Sequence, residues 1–192
     1  MAQFEKLKHH ELLVVHNLLK KQNKILGGSL MNLDHLIYLQ KSISLLSSLE
    51  ISRVLNDRLP NILGIHYFSL FLYDKDRNQL SLSSHNHPGL DEDLFLYIAD
   101  SEIMSDAVTS GRYIMGPDFA KSRYYKGKKN SLFKTDFLVS IPLMIENETI
   151  GCLNLNDNLK GYFNVTDLDF ALNVAEFISM SISNVLLYEK TE

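Results

Sequence analysis

Residues 137–157, FLVSIPLMIENETIGCLNLND, constrain the fold of this chain more than any other stretch. Phe137, Val139, Ile141, Leu143 and Ile145 recur at every second position, so they share one face of a strand. Leu138 and Met144 make the other face largely apolar too, which predicts a strand covered on both sides. Glu146-Asn147-Glu148 predicts a turn, with Asn147 the residue suited to positive φ. A second apolar run, Thr149 to Leu155, returns antiparallel, and the turn formers of Asn154–Asn158 predict its end.

Composition narrows what can be built around that hairpin. With 192 residues, 45% of them hydrophobic, the chain can bury one core with length to spare. A net charge of −4 argues against a general nucleic-acid binder. Cys152 is the single cysteine, which excludes an internal disulfide and any multi-cysteine metal site. No continuous apolar run approaches the ~18–20 residues that cross a bilayer, and the amino terminus, MAQFEKLKHHELL, lacks a signal peptide's apolar core. A cytoplasmic protein without membrane contact is the expectation.

Along the chain, Phe4, Leu7, Val14, Leu18 and Ile25 fall at helical spacings on a charged amphipathic segment. Glu11 and Lys21 interrupt that seam, so a strict coiled coil does not follow. The segment either packs on its own domain or forms a dimer seam. Gly27-Gly28-Ser29 predicts its end, which divides the chain into a helical extension over 1–28 and a domain over 29–192. Two helices are expected next, about 33–48 and 50–63, the second disturbed by Pro60 and stopped by Gly64.

The period then changes to that of strands at 66–73 and 79–85, with the second broken by His87-Pro88-Gly89. Residues 91–100 fit either a helical turn or an irregular cover. SEIMSDAVTSG reads as a helix stopped by Gly111, and 113–115 as a short strand. A long polar connection follows, from Asp118 to Thr135, of a kind that is often functional. The last helix, about 166–190, is expected to start at a Thr166/Asp169 capping box, with Val165 stapled against Phe170. Its apolar stripe is wider than one sheet face needs, which implies a further helical partner.

This order of elements, with Ser140-Ile141-Pro142-Leu143, Ile150-Gly151-Cys152-Leu153-Asn154-Leu155 and the closing Phe163-x-x-x-Asp167-Leu168, resembles the GAF domain family of signalling proteins from about residue 33 to 190. Tyr113-Ile114 after Ser110-Gly111-Arg112 is similar to the family's turn before its third strand. The resemblance implies an α+β fold related to PAS domains. Its twisted antiparallel sheet would have five to six strands, helices on one face, a ligand pocket on the other and long helices at both ends. Pro142 would then sit in a strand with a local bulge. The implied role is that of a sensor that binds a small molecule and passes a signal through its terminal helices as a homodimer. A ligand-free docking module on the same scaffold is the alternative.

No enzyme signature is present: there is no Walker-type phosphate loop, no G-x-S-x-G and no H-E-x-x-H. Relatives that reduce free methionine sulfoxide use more than one cysteine, and bilin-binding relatives use a loop cysteine that this chain lacks. Asn130-Ser131-Leu132-Phe133 does not reproduce the pattern of the cyclic-nucleotide branch. His85 and His87, spaced i, i+2, are either a metal or haem contact or exposed turn histidines. Between Lys121 and Lys134 six basic residues surround Tyr124 and Tyr125 without an acid. The resemblance sets that stretch over the pocket, where an anionic or aromatic ligand would meet Tyr124, Tyr125 and Lys134; otherwise it is a solvated loop. Tyr113, Asp118, Phe119, Asp136 and Ser140 border the same implied pocket. No cofactor is specified by any of these residues.

Overall fold

The computed structural model describes residues 2–43, 48–88, 90, 91, 93–116, 137–160 and 163–189. It divides into two units, residues 1–41 and 42–192. The first is one helix, α1 (Ala2–Ile43). It runs through Gly27 and Gly28, where the sequence predicts a break. Each glycine costs a helix about 1 kcal/mol against alanine, and neither takes positive φ here. The separate helix expected from Leu33 is therefore the second half of α1.

In the second unit the elements run α2 (Ser48–Leu63), β1 (Ile65–Asp74), β2 (Gln79–His85), β3 (Phe95–Tyr97), α3 (Glu102–Ser110), β4 (Ile114–Gly116), β5 (Leu138–Ile145), β6 (Glu148–Asn158) and α4 (Val165–Glu189). A 3₁₀ turn, Ile98–Asp100, links β3 to α3. The strands form one antiparallel sheet in the order β3-β2-β1-β6-β5-β4. This is the α+β architecture that the sequence predicts, with the undecided stretch 91–100 supplying an edge strand.

Helices α2 and α4 pack on one face of the sheet, the outer face, and α3 on the inner one. The outer core is aliphatic and aromatic: Phe68, Leu70, Val139, Ile141, Leu143, Leu153 and Leu155 are buried beneath Ile51, Leu55 and Leu59 of α2 and Val174, Ala175 and Ile178 of α4. Burying one such side chain is worth about 1.5–3 kcal/mol, so this layer anchors the fold. Helix α2 carries Pro60 in its last turn and ends three residues later, at Leu63, where Gly64 leaves the helix at φ 63°.

Several local expectations are corrected. Helix α4 begins on a capping box made by Asn164, not Thr166: Asp167 N–H donates to Asn164 Oδ1 at 2.9 Å and Asn164 N–H to Asp167 Oδ2 at 3.2 Å. Val165 is 75% exposed, so it staples nothing. In the hairpin turn the left-handed residue is Glu146 (φ 54°), not Asn147. Most consequentially, β6 continues through Asn154–Asn158, because β1 and β5 pair with it on both sides.

Pro142 fits for a related reason. Asp157 N–H donates to Phe137 O at 3.4 Å, so alternate residues of β5 turn their backbone groups toward β6, and Pro142 turns outward. Strand β4 pairs only with residues 138–140 of β5, so the missing N–H of Pro142 faces no partner strand. The bulge expected near it lies between Leu143 and Met144.

Helix α4 also corrects the expectation that no segment could span a bilayer: Val165–Leu187 is long and apolar enough by length and composition. Its buried side packs on β5, as in a core helix.

Candidate functional site

The inner face of the sheet changes character along its strands. Beneath α3, Phe71, Leu80, Cys152, Ile103, Met104 and Val108 form an apolar cluster. One residue pair further along each strand the face turns polar. Cross-strand pairing places Ser140, Asn154, Ser69 and His85 in a single row over β5, β6, β1 and β2. At about 4.8 Å per strand this row is about 14 Å long. The next row holds Asn156 opposite Tyr67, and Tyr67 stacks on His87 with ring centroids 4.9 Å apart.

Ser69, Ser140, Asn154, Asn156 and His87 are all buried. Asn154 Nδ2 donates to Ser69 Oγ at 3.2 Å and lies 3.2 Å from Met104 Sδ on α3. Three buried atoms of the first row, Ser140 Oγ, Asn154 Oδ1 and His85 Nδ1, have no hydrogen-bond partner among the described residues. An uncompensated buried polar group costs about 1–3 kcal/mol.

Local structure holds the two histidines in place. Beyond the end of β2, Asn86 prolongs the pairing with β1. Its N–H donates to Phe68 O, its Oδ1 accepts from Phe68 N–H at 2.8 Å, and its Nδ2 donates to His66 O at 2.8 Å. His85 and His87 thereby flank a fixed residue. Burial is the main reason that the His87 imidazole is pushed down to about 4; the neighbouring His85 adds to this, and Asp157 and Asn156 oppose it. His87 is therefore a neutral ring at pH 7. Asp157 itself is fully buried at φ 56°, a backbone conformation that costs a non-glycine residue about 1–3 kcal/mol.

The sheet, its pairing order and its inner polar rows now allow comparison with known proteins. Residues 50–184 match the family model described as GAF domain. This chain belongs to the GAF domain family. No curated protein matches it. Among solved structures it is similar to the GAF domain of a phosphoenolpyruvate-protein phosphotransferase from Coxiella burnetii, at 17% identity and TM-score 0.71, covering 84% of this chain and 98% of that one. It is likewise similar to residues 122 to 287 of a methyl-accepting chemotaxis protein, at 20% identity and TM-score 0.63, covering 80% and 98%. Free methionine-R-sulfoxide reductase from Neisseria meningitidis, solved with its substrate, has the same fold at 14% identity and TM-score 0.68, covering 82% and 91%. GAF domains of signalling proteins are in general regulatory modules, although some members of the fold are enzymes.

Of the residues singled out in the sequence, this GAF domain brings His85, His87 and Ser140 together on the inner face. It sets Tyr113 apart: Ile114 takes the place opposite Ser140, while Tyr113, 42% exposed, lines a groove beside the part of β5 that follows its pairing with β4. That open groove, of about 830 Å³, also touches Pro142, Met144 and Glu146 of the hairpin and Leu172 and Glu176 of α4. None of its described lining residues carries an orphaned buried atom, so the inner rows are the better candidate site. Asp118, Phe119, Tyr124, Tyr125, Lys134 and Asp136 lie outside the described residues.

Tyr67, Ser69, Asn154 and Asn156 were missed. The asparagines carried a usable signal: Ile150, Cys152, Asn154 and Asn156 keep the period of two, a strand that changes from apolar to polar on one face. Cys152 sits at that border. Burial pushes its thiol up to about 12, with Ser140 and Asn154 pulling part of the way back.

Proposed function

We propose that this GAF domain is a sensor that binds a small polar molecule on the inner rows and transmits occupancy to its terminal helices. The row of orphaned atoms, Ser140 Oγ, Asn154 Oδ1 and His85 Nδ1, carries the reading, because a ligand that offers matching donors and acceptors recovers their lost hydrogen bonds. The neutral His87–Tyr67 pair favours a flat uncharged part of that ligand, and an aromatic or amide group fits it. Lys134, Tyr124 and Tyr125 are kept as candidate contacts to an anionic part.

The role is regulatory, not catalytic. A thiol held near 12 is no nucleophile at neutral pH, so the chemistry of the reductase neighbour does not carry over to Cys152. The net charge of −4 does not suit nucleic acid. Packing of α4 on β5 supports reading that helix as part of the domain core, and this reading keeps the protein in the cytoplasm. Signalling requires that the ligand bind two arrangements of the domain with different affinity.

Thermal unfolding of the full chain against a panel of free amino acids, nucleobases, nucleosides and short carboxylic acids tests the reading. At a hundredfold excess over Kd a true ligand adds about 2.7 kcal/mol, which raises Tm by roughly 5–10 °C. Asn154→Leu should abolish that rise. If no compound shifts Tm, or if the shift survives Asn154→Leu, the inner rows are scaffold and the domain is a docking module.

A further inference from the structure

The inner rows leave the open groove of about 830 Å³ without a role, and its walls have a character of their own. Strand β4 covers only residues 138–140 of β5, so from Ile141 to Ile145 that edge of the sheet has no partner strand among the described residues. One stripe of α4 stands over it, Leu172, Ala175, Glu176 and Ser179, spaced i, i+3, i+4 and i+7. The turn that leaves α3 brings Arg112 and Tyr113 to the same groove. Met144 lies against this turn, its Cε 3.4 Å from where a Cβ on Gly111 would sit.

An uncovered edge ordinarily invites a further strand. This one is built against it. Pro142, turned outward, has no N–H to donate, and the bulge between Leu143 and Met144 breaks the spacing of the groups that follow. An occupant of the groove is therefore held by side chains and not by a backbone ladder.

Charge says which side chains. The lining carries two carboxylates, Glu146 and Glu176, against one guanidinium, Arg112. None of the three makes an ion pair among the described residues. Glu146 is placed there at a cost. It holds the first central position of a two-residue hairpin turn at φ 54°, where glycine ordinarily sits. Positive φ costs a residue with a side chain about 1–3 kcal/mol. The turn alone does not account for this carboxylate, and a cation in the groove does.

We infer that the groove docks an extended, basic peptide segment of a partner protein. A lysine or arginine of that segment pairs with Glu146 and Glu176, and its apolar neighbours pack on Tyr113, Met144 and Leu172. From Ile141 to Glu146 the groove spans five residue steps, about 17 Å, which an extended segment of about six residues fills. Methionine adapts its shape to such a partner, and tyrosine offers a rigid ring with a polar tip. This surface shares no residue with the inner rows, so it stands or falls apart from the ligand proposed there.

Fluorescence anisotropy with the full chain tests the inference, using three labelled, end-capped hexapeptides: leucine alternating with arginine, with glutamine or with glutamate. The arginine peptide should bind about tenfold more tightly than the glutamine peptide, and the glutamate peptide more weakly than either. Glu146→Gly with Glu176→Gln should abolish that preference, while Glu146→Gly alone keeps or raises Tm because the turn is relieved. Glu176→Lys, an exposed change on α4, should independently shift the preference toward the glutamate peptide, and Arg112→Gln should tighten the arginine peptide. Equal binding of the three peptides, a preference that survives the double substitution, or weaker arginine-peptide binding in Arg112→Gln would each overturn the assignment. A lower Tm in Glu146→Gly would overturn it as well, since the carboxylate would then serve the fold. So would a dimer in sedimentation that the double substitution dissociates, because a second copy would then fill the groove.

Discussion

The two faces of the central strands share a backbone and differ in everything else. On the outer face Phe68, Leu70, Val139, Ile141, Leu153 and Leu155 meet two helices without one orphaned polar atom among them. On the inner face the residues between them, Ser69, Ser140, Asn154 and Asn156, are equally buried, and Ser140 Oγ and Asn154 Oδ1 have no partner among the described residues. Alternation makes the separation possible, since each strand presents successive residues to opposite sides. The difference teaches how a small domain divides its labour. One face supplies the stability from which the other can lose a few kcal/mol, which is what the proposed recognition on the inner face requires.

The largest effect should come from breaking what both faces share. A Cβ added to Gly151 would sit 2.2 Å from Phe71 O, a backbone atom that can yield only if β1 and β6 separate. Gly151→Ala should therefore cost roughly 4 kcal/mol or more, read as loss of the cooperative unfolding transition or of soluble protein. Next comes the outer face alone. Leu155 is fully buried, and Leu155→Ala should cost about 3–4 kcal/mol in chemical denaturation. If either variant unfolds like the parent chain, the pairing of β6 between β1 and β5 is wrong.

The inner face has a pH signature that the outer face cannot have. His87 is held down to about 4 in the folded chain, against 6.5 when unfolded, chiefly by burial. The unfolded chain therefore binds more protons between those values, and stability rises with pH across them. The contribution is complete above about pH 6.5 and is lost as pH falls toward 4, by no more than about 3–4 kcal/mol. His87→Gln should flatten that part of the denaturation-versus-pH curve. An unchanged slope would place the titration elsewhere and leave His87 with no part in it.

How much of this was legible in the sequence depends on which face a residue serves. Outer-face positions were plain, because Val139, Ile141 and Leu143 announce themselves by hydrophobic period alone. Inner polar positions were hidden by the same rule. Asn154, Asn156 and Asn158 look like turn formers until β1 and β5 are seen to pair with them on both sides, and no local propensity encodes that pairing. Ser69 is invisible without its partner Asn154, 85 residues away. Long-range pairing also explains why His85 and Ser140, both singled out from sequence, could be named but not placed in one row. In α1 the fault was of another kind: the glycine pair read as a stop, and the helix runs straight through it.

The smallest stability effect is the most informative one. Asn154→Leu keeps the branching and heavy-atom count, though not the smaller volume, and removes an amide that makes two contacts and leaves one oxygen unpaired among the described residues. Leaving Ser69 Oγ without this bond costs about 1–3 kcal/mol, and removing a buried orphan returns a similar amount, so the net change should lie within about 2 kcal/mol of zero. Leu155, the very next residue, is worth more on the other side of the same strand. Stability and recognition then separate: Leu155→Ala lowers Tm but leaves the ligand-induced rise intact, whereas Asn154→Leu keeps Tm and loses the rise. Should Asn154→Leu destabilise the domain as much as Leu155→Ala, the inner rows would be structural polar packing, and a partner for the three orphaned atoms would have to come from the protein itself.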